Sequence, residues 1–65
     1  MKFQCIKQSI HITCLPENTD LQKLSLYLKF QLGTPVTVVD NIVIVRGVFK
    51  ECMLEKMIND YFTHN

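Results

Sequence analysis

Two runs of β-branched residues, Val36–Val39 and Ile42–Val45, flank the dipeptide Asp40-Asn41. No other feature constrains the fold of this chain as tightly. Side chains that branch at Cβ fit a pleated strand better than a helix. An Asp-Asn pair between two such runs makes a turn, so the segment reads as a β-hairpin. Gly47 ends its second strand. A lone hairpin is marginal in water, so the remaining residues must cover it.

Upstream, Leu21, Leu24, Leu28 and Leu32 recur at helical spacing and form a core stripe. Pro16 to Asp20 precedes that stripe. Thr19 and Gln22 have the spacing of a capping box, and Asp20 places an acid in the first turn. Gly33 stops the helix and Pro35 follows two residues later. Downstream, Lys50 to Phe62 reads as a second helix with Leu54, Met57, Ile58, Tyr61 and Phe62 inward. Thr63 to Asn65 is expected to fray.

Met1 to Leu15 is β-like. Ile6, Ile10, Ile12 and Cys14 share a face by alternation, with Phe3 and Cys5 in the opposite phase. The flip implies a bulge or tight turn around Lys7 to Ser9. The segment is either one long bent strand or a short hairpin. The element order is therefore β(β)αββα. It predicts an α+β fold, a two-layer sandwich with two helices on one face of a mainly antiparallel sheet. Residues 1–65 form a single domain.

The chain has 65 residues, a formal net charge of +1 and 48% apolar residues, a composition that excludes disorder and disfavours bulk wrapping of nucleic acid. A domain this small is marginal, and association is one route to stability. Cys5, Cys14 and Cys52 are odd in number and contain no C-x-x-C pattern, which points to a reduced, cytoplasmic setting rather than a disulfide framework. The three are expected to act as small apolar core residues. No apolar run is long enough to span a membrane.

The residues offer no catalytic constellation, so the expected function is not enzymatic. His11 lies mid-strand and His64 in the terminal tail, and neither has a suitable nucleophile or acid partner. His11 and Cys14 lie three apart on a strand and point to opposite faces, which excludes joint chelation. No metal or cofactor is implied. Lys7, Lys23, Lys29 and Arg46 are the candidates for contact with structured RNA. Leu26, Tyr27 and Phe30 lie beside the leucine stripe of the first helix, and Leu26 and Phe30, four apart, form a second apolar stripe. Exposed, that stripe would be a contact for a protein partner or for a second copy of the chain.

The stretch Leu15 to Gly47 resembles the core of the translation initiation factor 1 family, which is also represented by a domain of density-regulated protein. Leu15, Asp20-Leu21, Lys23-Leu24, Leu28-Lys29 and Gly33 carry the likeness, continued by Thr37-Val38, Asp40, Ile42, Ile44 and Gly47. In that family a basic, glycine-containing hairpin loop approaches ribosomal RNA, and Lys7-Gln8-Ser9 stands in its place here. Leu26 and Phe30 occupy positions that are usually Lys or Glu. A second stretch, Leu32 to Phe62, is similar to the N-terminal core shared by the initiation factor 2 beta subunit and initiation factor 5. Leu32-Gly33-Thr34, Ile44, Gly47, Phe49 and Tyr61 carry that likeness, without the zinc ribbon that follows in those proteins. Both resemblances imply an α+β module of translation initiation whose partner is the small ribosomal subunit or an initiation complex. The alternative reading is a small structural subunit or inhibitor that docks through its first helix and has no nucleic-acid role.

Overall fold

The computed structural model describes residues 1–63. Its elements follow the order β1 (Lys2–Ile6), β2 (Ser9–Thr13), α1 (Leu21–Leu32), β3 (Val36–Val39), β4 (Ile42–Arg46) and α2 (Glu51–Thr63). The four strands form one antiparallel sheet in the order β1-β2-β4-β3. The fold is α+β, as the sequence predicts.

The N-terminal ambiguity resolves as a hairpin. Ile6 pairs with Ser9 and Cys5 with Ile10, so only Lys7 and Gln8 form the turn. Lys7 adopts a left-handed φ of 55°, which supplies the reversal without glycine. The hairpin also explains the phase flip. Cross-strand partners share a face, so Phe3 and Cys5 side with Ile12 and Ile10. Ile6 therefore lies on the opposite face from Ile10 and is exposed. The expected grouping of Ile6 with Ile10 counts alternation straight through a turn.

The central hairpin forms as expected. Asp40 and Asn41 both take positive φ, 51° and 64°, which is the signature of a type I′ turn. Register then fixes the core. Val36 pairs with Val45, and Val38 with Val43. On the other side of β4, Ile10 pairs with Val45, and Ile12 with Val43. These residues make one apolar face. Leu24 and Leu28 of α1 and Leu54 and Ile58 of α2 complete the buried cluster on it. Tyr27 and Tyr61 close the seam between the helices, with ring centroids 5.0 Å apart. The opposite face carries Gln4, His11, Thr37, Ile44 and Arg46, with no element over it among the described residues.

Several expectations need correction. Asp20, not Thr19, caps α1: its carboxylate accepts the Lys23 N–H at 3.2 Å. The Thr19 hydroxyl is buried and unbonded, so the capping box is absent. Gly33 does end α1, in the left-handed conformation with its N–H donated to Lys29 O at 2.8 Å. The three cysteines are exposed rather than core residues. Cys5 sits on an edge strand beyond the cover of the helices, Cys14 leaves β2 with a φ of 59°, and Cys52 lies on the outer side of α2. Phe62 is likewise exposed, because the core face of α2 is already filled by Leu54 and Ile58. Thr63 is the last residue of α2, and its hydroxyl donates to Asn59 O at 2.8 Å. His64 and Asn65 lie outside the described residues.

Candidate functional site

The topology sorts the charged residues by end. β1 ends, β2 begins, α1 ends, β3 begins, β4 ends and α2 begins at one pole of the molecule. We call it the turn pole, after the Lys7-Gln8 turn. It gathers Lys7, Lys29, Arg46 and Lys50, with Glu51 as its only acid among the described residues. The opposite pole holds the Cys14–Asp20 connection and the Asp40-Asn41 turn. Glu17, Asp20, Asp40 and Asp60 lie toward it, against Lys2 and Lys23. A chain with almost no net charge is therefore electrically polar along its strands, and a local field of this kind steers charged partners whatever the total charge.

Three hydrogen bonds hold the turn pole together. Gly47 N–H donates to Gln8 O at 2.6 Å, tying the first turn to the end of β4. Arg46 N–H donates to Pro35 O at 3.1 Å. The Thr34 hydroxyl donates to Arg46 O at 2.7 Å. The result is an open cleft lined by Lys7, Gln8, Ser9, Thr34, Arg46 and Gly47. Gly47 has a φ of 119°, a conformation that side-chain-bearing residues rarely adopt, and its missing side chain leaves room for the Phe49 ring. None of Lys7, Lys29 or Arg46 forms an ion pair among the described residues. Their charge is thus available to an incoming anion, and the cross-links hold the cleft in place beforehand.

Of the four cations singled out in the sequence, three meet at this pole. Lys23 does not: it follows Asp20 in the first turn of α1, at the other end of the helix. Lys50, Ser9 and Thr34 carry no sequence signal for this site. Only the strand register reveals them, because residues far apart in sequence meet where strands begin and end.

The second candidate surface also divides. Leu26 is 52% exposed and Phe30 81% exposed, so the outer apolar stripe of α1 is real. Tyr27 turns the other way and packs on Tyr61. A second cleft, at the acidic pole, is lined by Cys14, Leu15, Pro16, Glu17, Thr19, Leu21 and Asn41. It pairs a thiol and a carboxylate with no histidine or lysine to activate either. Among the described residues, no three His, Cys, Asp or Glu side chains come together as a metal site. No helix among them is long and apolar enough to cross a membrane. No protein-family model, no curated protein and no solved structure matches this chain.

Proposed function

We propose that this chain is a non-enzymatic, cytoplasmic binding module of translation initiation that engages the small ribosomal subunit or an initiation complex. The observation that carries the reading is the convergence of Lys7, Lys29, Arg46 and Lys50 at one backbone-braced pole. Cations held without carboxylate partners suit phosphate, and backbone phosphate contacts position a protein on RNA without reading its sequence. The resemblance of Leu15 to Gly47 to the initiation factor 1 family supports the same assignment, since Lys7-Gln8 stands where that family presents its RNA-facing loop. The sheet offers no aromatic platform for stacking bases, so the contact is electrostatic and directed at folded RNA.

The test is sedimentation with purified small ribosomal subunits over a series of salt concentrations. The expected result is co-sedimentation that weakens steeply with salt, with a shallower slope in Lys7→Ala and Arg46→Ala. Protein that stays at the top of the gradient at low salt would overturn the proposal.

A second reading, a structural subunit or inhibitor without a nucleic-acid role, is favoured by the exposure of Phe30 and Leu26. Apolar docking is largely insensitive to salt, so the same titration separates the two.

A further inference from the structure

We propose that two copies of this chain associate about a two-fold axis by antiparallel pairing of their β3 strands, joining two four-stranded sheets into one of eight. β3 is an edge strand. The bond from Arg46 N–H to Pro35 O sets the hydrogen-bond parity of the β3–β4 ladder. Thr37 and Val39 face Ile44 and Ile42 in the bonded positions, so Val36 and Val38 direct their N–H and C=O groups outward. No charged residue on β3 guards that edge. Its residues, Val36, Thr37, Val38 and Val39, are all β-branched and uncharged, whereas the other edge strand begins with Lys2 and leads into Lys7. Natural edges are usually blunted by charge, so an unguarded one is a pairing surface.

Three observations select a second copy as the occupant. The first is self-complementarity of the strand. An axis at Thr37 sets Val36 of each copy opposite Val38 of the other, and both carry outward groups, so the two strands bond without a register slip.

The second is charge. Antiparallel pairing lays the basic turn pole of each copy beside the acidic pole of the other. Thr34 falls opposite Asp40 of the second copy, and Lys29 is anchored one turn from Thr34 by the Gly33 N–H bond to its carbonyl. Lys29 is thereby brought toward Asp40 of the second copy. The arrangement is attractive at both ends of the strand and involves no like-charge contact there.

The third is helix α1. It packs against β3. Tyr27 points to α2, so the opposite flank of α1, which bears Gln22 and Lys29 at helical spacing, overhangs the β3 edge. Leu26 lies six residues before the end of α1, about 9 Å along the axis. Thr37 lies two residues past Pro35, about 7 Å along the strand. One axis therefore passes close to both. It sets Lys29 near Gln22 of the second copy, whose amide oxygen accepts its hydrogen bond, while Leu26 points away from the sheet and marks only the height of the axis. Phe30 stays outside this contact, as do Lys7 and Arg46, so Lys29 is the residue this interface shares with the proposed RNA contact.

The test is sedimentation equilibrium of the full chain over a concentration series. Wild type is expected to show a monomer–dimer equilibrium. Val36→Pro removes a donor that no bond within the monomer uses, at the first residue of an edge strand where proline is tolerated. It is expected to weaken dimerisation roughly tenfold or more, with the circular dichroism of the fold retained. Lys29→Glu changes only an exposed helix residue and is expected to weaken the dimer as well, which keeps the proposal testable if Val36→Pro fails to fold. A wild-type chain that is monomeric at every concentration would overturn the proposal. So would a dimer unaffected by Lys29→Glu, or assembly that continues beyond two copies.

Discussion

Replacing Gly47 by alanine tests how the candidate cleft is built. Gly47 has a φ of 119°, and a Cβ placed there would lie 2.9 Å from Phe49 Cε2. Two costs add. Holding a side-chain-bearing residue in that conformation costs about 1–3 kcal/mol. Moving the Phe49 ring off its rotamer adds about 0.5–1.5 kcal/mol. The expected loss is therefore about 1.5–4.5 kcal/mol. A chain of this length is stable by only about 3–10 kcal/mol. Gly33 is the internal control. It also has a positive φ, 66°, but it lies in the ordinary left-handed well, and a methyl group added there would meet nothing within 4 Å. Gly33→Ala should cost about 1–2 kcal/mol. Urea unfolding of both variants measures the difference. With a urea slope near 1 kcal/mol per molar for a small protein, Gly47→Ala should lower the midpoint by about 1.5 M or more, and Gly33→Ala by about half that. Amide exchange at Gly47 should rise at the same time, because its bond to Gln8 closes the cleft. If Gly33→Ala were the more damaging variant, the account of the turn pole as a strained, glycine-dependent junction would be wrong.

Other variants probe the rest of the molecule. Asp20→Ala should cost about 1 kcal/mol through loss of the α1 cap, while Thr19→Val should be neutral or stabilising, because it replaces a buried, unbonded hydroxyl; thermal melts of the two distinguish the true cap. Leu24→Ala, at a fully buried position, should cost about 2–5 kcal/mol and leave much of the population unfolded in a urea titration. All of Cys5, Cys14 and Cys52 should react with a thiol reagent without denaturant, and slow labelling of any one would contradict its exposure. Phe30→Ser should change stability by no more than about 0.5 kcal/mol, since the ring is outside the core.

The parts of the fold that are legible in the sequence share a property: their signal is local and repeats. The leucine stripe of α1, the β-branched runs and the Asp40-Asn41 turn each carry their own pattern. Gly33 marks a helix end that the backbone confirms. Sequence pattern misleads where a short reversal carries no turn residue. Lys7 takes a left-handed φ that Gly or Asn usually supplies, so alternation alone puts Ile6 on the wrong face. The cap is ambiguous by one residue because Thr19 and Asp20 are both good capping types, and only the geometry of the Lys23 N–H separates them. Residue type alone places the cysteines inside. Among the described residues the buried apolar side chains number eight, and all are Ile, Leu or Val.

The candidate site is half legible for a different reason. A cation can be seen in a sequence, but its neighbours cannot. Lys7, Lys29 and Arg46 are separated by long stretches, and what unites them is that successive elements run in opposite directions, so the chain returns to the same pole at every second connection. Lys50 joins them by the same rule, and Lys23 drops out by it, being at the start of α1 rather than its end. A net charge of +1 therefore understates what this chain can present to an anion, because the topology gathers four of the seven cations at one end against a single acid. The two proposals draw on that one polarity in different ways. RNA would meet the basic pole from outside, while a second copy would meet it along the β3 edge, through Lys29. Arg46→Ala should consequently weaken RNA binding and spare self-association, whereas Lys29→Glu should weaken both. If Arg46→Ala abolished the dimer, the two surfaces would have to be one.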